Sequence, residues 1–155
     1  MQRIREENKY SFSDRLDDEA KLEAYLETLG FEILTPEDFD SYQDQLDKIS
    51  EAKILMSVTS AALHTGMVLQ PGSFVVELCT IMDTPTGSTE EFMIKNGFFH
   101  EHYRSMALMQ KLPYLAIPNV SRKAQDIIDY IESNKVIKDL LSSWCLGCWK
   151  AFLTF

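Results

Sequence analysis

The residues best suited to bind an anion follow a short apolar segment near the middle of the chain. In the stretch SVTSAALHTG, which begins at Ser57, Thr59 and Ser60 carry hydroxyls that can cap a helix, and Ala61 keeps its first turn narrow. The first N–H groups of a helix have no partner inside it and lie at the positive end of its dipole. The pattern predicts a turn that binds a phosphate or diphosphate, although helix capping and close packing explain the same residues.

A single acid, Glu77, interrupts the next apolar segment, FVVELC. An unpaired charge inside a sheet would be costly, so this carboxylate either reaches the rim of the sheet or has a partner. At the rim it could accept hydrogen bonds from a ribose diol, as acids in nucleotide-binding folds do, whereas a paired acid at the end of a strand is the alternative. His64 follows the anion turn and could reach a phosphate, with an exposed or capping histidine as the alternative.

No group of residues indicates a metal site or a dinucleotide cofactor. Cys145 and Cys148 form one C-x-x-C pair without a second pair, and His100 and His102 have no evident third ligand. The glycine-rich fingerprint G-x-G-x-x-G is absent. We therefore predict no metal and no cofactor, and a dinucleotide-dependent oxidoreductase is disfavoured.

Helix-type and strand-type segments alternate along the chain. DDEAKLEAYLETLG and SYQDQLDKISEA have apolar residues at helical spacing, with Tyr42, Leu46 and Ile49 on one face of the second. Further helices are expected over residues 60–69 and 98–111, while FEIL, KILMSV and a last strand, YLAI, read as buried strands. The alternation predicts an α/β fold, a Rossmann-like parallel sheet with helices on both faces, whose ligands bind outside the carboxyl ends of the strands.

Residues 134–155 do not fit this alternation. Their apolar residues, among them two tryptophans, follow a helical stripe, which predicts an amphipathic C-terminal helix after a domain at residues 1–133. The tryptophans favour docking on a missing lobe or a partner chain. The domain's own core and a membrane surface are the alternatives.

Composition limits the class of partner and the compartment. The chain has 155 residues with a formal net charge of −9, so it has little positive charge to neutralise phosphates, and no nucleic-acid partner is expected. The charged N-terminus has no apolar signal-peptide core, and no segment reaches the roughly 20 apolar residues of a membrane-spanning helix. We expect a cytoplasmic protein if the chain is complete, and one of the Golgi or endoplasmic reticulum lumen if it is a eukaryotic fragment.

The order of these motifs over residues 1–133 resembles the C-terminal half of glycosyltransferase family 61. A helix ends in Gly-Phe-Glu, a second carries Tyr-x-x-Gln, a strand runs into the anion turn, and Pro-Gly-Ser precedes a strand with Glu-Leu. The resemblance implies a metal-independent enzyme of the GT-B type whose Rossmann-like half holds a nucleoside diphosphate sugar, usually uridine-linked. Such an enzyme transfers the sugar to a hydroxyl of a glycan or protein acceptor.

The resemblance also implies substrate-binding positions. With His64 added from the local sequence, they are Arg3, Arg5, Gln45, Thr59, Ser60, Ala61, His64, Glu77 and, as a weaker candidate, Arg104. Thr59 stands where the family has histidine and Ser60 where it has glycine, so a histidine contact to phosphate or sugar would be lost. The acceptor-binding half, which commonly supplies the base, lies outside this chain, and no catalytic residue is assigned. A binding or interaction module without turnover is the alternative to an active glycosyltransferase.

Overall fold

Five strands form one sheet in which every neighbouring pair is parallel. The computed structural model describes residues 16–80, 101–119, 121–142 and 149–153. In these residues the strands are β1 (Phe31–Leu34), β2 (Ile54–Val58), β3 (Phe74–Thr80), β4 (Tyr114–Asn119) and β5 (Lys150–Leu153). Their order across the sheet is β1-β5-β2-β3-β4. The predicted Rossmann-like α/β class is confirmed.

Helices cover both faces of the sheet. They are α1 (Glu19–Thr28), α2 (Tyr42–Ser50), α3 (Glu101–Met109), α4 (Ala124–Ser133) and α5 (Lys135–Ser142), with 3-10 helices at Pro36–Asp38 and Ala61–Val68. Side chains of α1, α4 and α5 form the core on one face, here called the α1 face. Side chains of α2, the second 3-10 helix and α3 form the core on the other, the α2 face.

Strand β2 shows why the segment KILMSV lacks polar alternation. Ile54, Met56 and Val58 join the core of the α1 face, whereas Leu55 joins the core of the α2 face. Successive side chains of a strand point to opposite faces, so both sets must be apolar when helices cover both. All five residues of β2 are buried, as the sequence predicts.

The first helix begins and ends as its sequence indicates. Leu22 and Leu26 are fully buried, and Tyr25 and Leu29 pack against the same core. Gly30 follows with φ +84°, a left-handed conformation that glycine adopts without steric cost and that commonly ends helices.

The second helix buries a different face from the one expected. Its buried residues are Gln45 and Ile49, one turn apart, while Tyr42 is 64% exposed. The prediction that Tyr42 lies on the buried face is therefore wrong. Ser41 caps the helix by accepting a hydrogen bond from the Asp44 N–H at 3.1 Å, which fixes where the helix starts.

Three other predicted elements are present with different details. The helix expected over residues 60–69 is the 3-10 helix Ala61–Val68, and the one expected over residues 98–111 is described as α3. The segment YLAI begins β4, which extends to Asn119. It is not the last strand, because β5 follows.

The C-terminal tail is a helix followed by a strand. After α5, residues 143–148 lie outside the described part of the chain, and residues 150–153 form β5 between β1 and β2. Leu141 and Phe152 are fully buried in the core of the α1 face, and Trp149 packs against the core of the α2 face. The prediction of one helix reaching Phe152 is wrong, because the final apolar residues fill both faces of a central strand. The buried side of α5 packs on this chain's own core, which was the alternative to docking elsewhere.

Lys150, the first residue of β5, links two helix ends at the amino edge of the sheet. Its side chain is only 3% exposed, and its Nζ donates to the carbonyl oxygens of Leu29 at 2.7 Å and Leu141 at 2.5 Å. These carbonyls belong to the ends of α1 and α5, where helix carbonyls lack partners inside the helix. The ammonium also complements the negative ends of both helix dipoles.

We predict that Lys150→Met lowers the free energy of unfolding by about 1–3 kcal/mol, because two carbonyls at buried helix ends lose a charged donor while the aliphatic chain is kept. Urea denaturation followed by circular dichroism measures the change. Lys135→Met, at an exposed position of α5, is the control and should stay within about 0.5 kcal/mol of the wild type. Equal stability of the two variants would contradict this role of Lys150.

Candidate functional site

The candidate site lies at the carboxyl edge of the sheet, where a 3-10 helix begins directly after β2. Thr59 and Ser60 connect Val58, the last residue of β2, to this helix. The helix packs closely against its neighbours at Gly66, where a Cβ would lie 3.3 Å from Met106 Cε and 3.4 Å from a methyl of Val75. Because all strands are parallel, the ends of β3 and β4 share this edge, which is where α/β folds bind ligands.

Ser60 occupies the position before the helix but does not cap it with its side chain. Its backbone is extended, with φ −165° and ψ 167°, and its hydroxyl makes no capping hydrogen bond. The residue is 4% exposed, and among the residues that the structure describes its Oγ has no hydrogen-bond partner. The predicted side-chain cap is therefore wrong, and Ser60 instead presents a buried hydroxyl whose hydrogen-bonding capacity is unused.

Thr59 turns its side chain toward β3 rather than toward the helix. Its hydroxyl donates to Glu77 Oε1 at 2.7 Å and lies 3.2 Å from the Leu78 carbonyl oxygen. Its N–H donates to the same carbonyl at 3.0 Å. Main-chain and side-chain hydrogen bonds thus hold Thr59 against β3, and the predicted cap from its hydroxyl is also wrong.

Glu77 is fully buried on the α2 face, and each of its carboxylate oxygens accepts a hydrogen bond from a hydroxyl. It lies opposite Ser57 of β2 and Ala116 of β4 in the sheet register. Oε1 accepts from Thr59 and Oε2 from the Tyr114 hydroxyl. Of the two alternatives left by the sequence, the structure has the paired acid. A ribose contact of this carboxylate stays a prediction.

Tyr114 is the residue of this group that sequence analysis did not identify. It is half-buried at the start of β4, opposite Val75 in the register, and its side chain runs along the α2 face to Glu77. Burial and then the neighbouring carboxylate of Glu77 raise the pKa of Tyr114 well above its usual range, so the hydroxyl stays protonated. The tyrosine at the start of YLAI is visible in the sequence, but its contact with Glu77 follows only from the strand register.

The other predicted site residues are distributed over the α2 face. Gln45 is buried in α2, His64 is half-buried in the 3-10 helix, and Arg104 is exposed on α3. Ala61 begins the 3-10 helix. The structure brings Thr59 and Glu77 into contact, with Ser60 next in the chain. Arg3 and Arg5 lie outside the described residues.

A cavity of about 230 Å³ lies beside the end of β4, on the α4 side. Its wall consists of Pro118, Asn119, Ser121, Asp126, Ile127 and Tyr130. The sequence did not indicate these residues, because they come from the end of a strand, a turn and the first two turns of α4. The wall combines a carboxylate and a hydroxyl with an aromatic ring and aliphatic side chains.

Within residues 16–80, 101–119, 121–142 and 149–153, no group of three or more histidine, cysteine, aspartate or glutamate side chains is arranged to hold a metal ion. In the same part of the chain, no helix has the length and hydropathy needed to cross a membrane.

Comparison with known proteins gives one match. Residues 1–76 match the family model described as Glycosyltransferase 61. No curated protein and no solved structure matches the chain. The matched segment includes Thr59 and Ser60, whereas Glu77, Tyr114 and the wall of the cavity lie beyond it.

We predict that Ser60→Ala raises the free energy of unfolding in the absence of ligand by up to about 1 kcal/mol, because it removes a buried hydroxyl that has no hydrogen bond. Ser57→Ala is the matched control, since the buried Ser57 hydroxyl donates to the Leu153 carbonyl oxygen at 3.1 Å. That variant should be less stable than the wild type. Urea denaturation of both variants measures the difference, and an equal loss of stability in both would contradict an unsatisfied Ser60 hydroxyl.

Proposed function

We propose that this chain, whose residues 1–76 match the glycosyltransferase 61 family, is a glycosyltransferase of that family and uses a nucleoside diphosphate sugar, with uridine as the nucleoside, as its donor. The family supports sugar transfer from a donor to an acceptor in general. The donor class and its binding site are proposed here from the carboxyl edge of the sheet. The acceptor is a hydroxyl of a glycan or a protein.

The observation that carries this proposal is the buried Ser60 hydroxyl at the start of the 3-10 helix, which has no hydrogen-bond partner within the described ranges. The first hydrogen bond of the turn runs from the Leu63 N–H to the Ser60 carbonyl oxygen at 3.2 Å, so the N–H groups of Ala61 and Ala62 precede it. A phosphate oxygen placed here would accept from the hydroxyl and from these N–H groups, at the positive end of the helix. The ligand would satisfy a polar group that the protein leaves buried.

Such a site would assist the departure of the diphosphate. In the transfer, the acceptor oxygen forms a bond to the anomeric carbon as the bond from that carbon to the phosphate oxygen breaks. Negative charge collects on the departing diphosphate, and donors aimed at it lower the barrier. Arg3 and Arg5 are proposed as further diphosphate contacts, because a guanidinium binds phosphate in a bidentate manner. The acceptor proton goes to a base that we do not assign.

The cavity beside β4 is a suitable place for the nucleoside. Neighbouring strands are about 4.8 Å apart, so the ends of β2 and β4 are separated by about 10 Å, a distance that a nucleoside diphosphate spans. Tyr130, which is exposed, offers an aromatic ring for a flat base, and Asp126 offers a carboxylate for a ribose diol. We place the nucleoside here and the diphosphate at Ser60.

A binding module without turnover is the second candidate. Thr59 stands at the position where the family carries histidine, and its hydroxyl is directed to Glu77. This position therefore offers no imidazole to the donor. Donor binding together with no sugar transfer and no donor hydrolysis, measured on the longest chain that contains this sequence, would favour the module.

We predict that uridine diphosphate binds this chain and that Ser60→Glu abolishes the binding, because the new carboxylate fills the turn and repels phosphate. Titration calorimetry with the diphosphates of uridine, adenosine and guanosine measures affinity and nucleoside preference. Ser133→Glu, at the exposed end of α4, carries the same charge change and should bind as the wild type does. If no nucleoside diphosphate binds the wild type, the proposed donor site is wrong.

We predict that Asp126→Asn weakens uridine diphosphate binding about three- to tenfold, the loss expected for one charged hydrogen bond, and leaves inorganic pyrophosphate binding unchanged. Asp129→Asn is the matched control, because Asp129 lies on the same helix, outside the cavity wall, and accepts a hydrogen bond from Gln125 at 2.7 Å. Equal effects of the two substitutions on uridine diphosphate binding would contradict the proposed location of the nucleoside in this cavity.

A further inference from the structure

We propose that Glu77 is a positioning residue, which acts through Thr59 to hold the Ser60 hydroxyl in place and does not contact the ribose of the donor. The inference rests on the proposed function, since it concerns the same diphosphate site. It changes the role of the acid that the sequence assigns to ribose binding.

The first argument is the chain of contacts from β3 to the turn. Glu77 accepts from the Thr59 hydroxyl at 2.7 Å, and Thr59 is joined to Ser60 by one peptide bond. The Thr59 N–H donates to the Leu78 carbonyl oxygen at 3.0 Å, so main chain and side chain of Thr59 both bind β3. Because both the main chain and the side chain of Thr59 are bound to β3, the direction of the Ser60 side chain depends only on the torsion angles of Ser60 itself.

The second argument is the burial of the carboxylate. Glu77 has no solvent exposure, and each of its oxygens already accepts a hydrogen bond, one from Thr59 and one from Tyr114. A ribose diol would have to reach an atom that the 3-10 helix and the sheet enclose. Buried carboxylates of this kind hold neighbouring groups in place, because any movement of the donors leaves a charge without its hydrogen bonds.

The third argument is the separation of the two hydroxyl partners. Tyr114 reaches Oε2 from β4, whereas Thr59 reaches Oε1 from the turn after β2. The carboxylate therefore connects three neighbouring strands at one point. Thr59→Val therefore removes the contact with the turn and keeps the carboxylate together with its Tyr114 partner.

The test compares ligands that contain only one end of the donor. Inorganic pyrophosphate reports on the diphosphate site, and uridine reports on the nucleoside site. We expect Glu77→Gln, which keeps the shape of the side chain, and Thr59→Val to weaken pyrophosphate binding about five- to tenfold. Both should leave uridine binding within about twofold of the wild type. Ser73→Ala, which removes a buried hydroxyl at the opposite edge of the sheet, where it donates to the Ala52 carbonyl oxygen at 2.8 Å, is the control and should leave pyrophosphate binding within the same limit.

A double-mutant cycle then separates positioning from direct contact. In a Ser60→Ala background, Glu77→Gln should change pyrophosphate affinity by less than about twofold, because the hydroxyl that it positions is gone. If Glu77 is a ribose ligand, Glu77→Gln lowers the affinity for uridine and leaves the affinity for pyrophosphate unchanged. The fold losses of uridine diphosphate affinity caused by Glu77→Gln and by Ser60→Ala then multiply in the double variant. That pattern overturns the inference.

A measurement without ligand distinguishes failure of the inference from failure of the proposed function. Amide hydrogen exchange at residues 61–63 should be faster in Glu77→Gln and in Thr59→Val than in the wild type, and unchanged in the control Ser73→Ala. If the wild type binds neither uridine diphosphate nor pyrophosphate, the proposed donor site fails while the exchange result still decides whether Glu77 orders the turn. Unchanged exchange in the first two variants overturns the positioning role whatever the ligand.

Discussion

The placement of β5 between β1 and β2 is the constraint on which the rest of the structure depends. In the described part of the chain, β1 joins the sheet only through β5, with Phe31 opposite Lys150 and Leu34 opposite Leu153. The N-terminal unit of α1 and β1 therefore needs the last strand before it can join β2. Contacts between such distant segments close long loops and form slowly in folding.

The two edges of the sheet differ in the hydrogen bonding of their buried polar side chains. At the amino edge, Lys150 donates to two helix ends and the Ser73 hydroxyl donates to the Ala52 carbonyl oxygen at 2.8 Å. At the carboxyl edge, the Ser60 hydroxyl has no hydrogen bond to any part of the chain that the structure describes. Unsatisfied buried groups lower stability, and folds keep them where a ligand supplies the partner. The difference between the edges is the physical basis for placing function at the carboxyl edge.

The site is assembled from both halves of the chain. The segment that matches the family contains the turn with Thr59 and Ser60. Glu77, which accepts from Thr59, and Tyr114, which donates to Glu77, follow that segment. Parallel pairing of β2, β3 and β4 brings these residues to one place. A sugar donor bound across this edge would contact elements on either side of the boundary at residue 76.

The sequence by itself determined the elements whose signals are local. Helix α1 and strands β1 and β2 follow from short-range periodicity and from Gly30, because burial of one helix stripe or both strand faces is visible over a few residues. Only the tertiary structure decided the secondary structure of the C-terminal tail and the hydrogen-bond partners of Glu77. Apolar residues over 150–153 satisfy a helical stripe and a doubly buried strand equally well, and the space between β1 and β2 selects the strand. The sequence required either a partner or a position at the rim of the sheet for Glu77. The register of β2, β3 and β4 brings two hydroxyls to it. Strand pairing, and not spacing along the chain, sets hydrogen-bond partners that lie on separate strands.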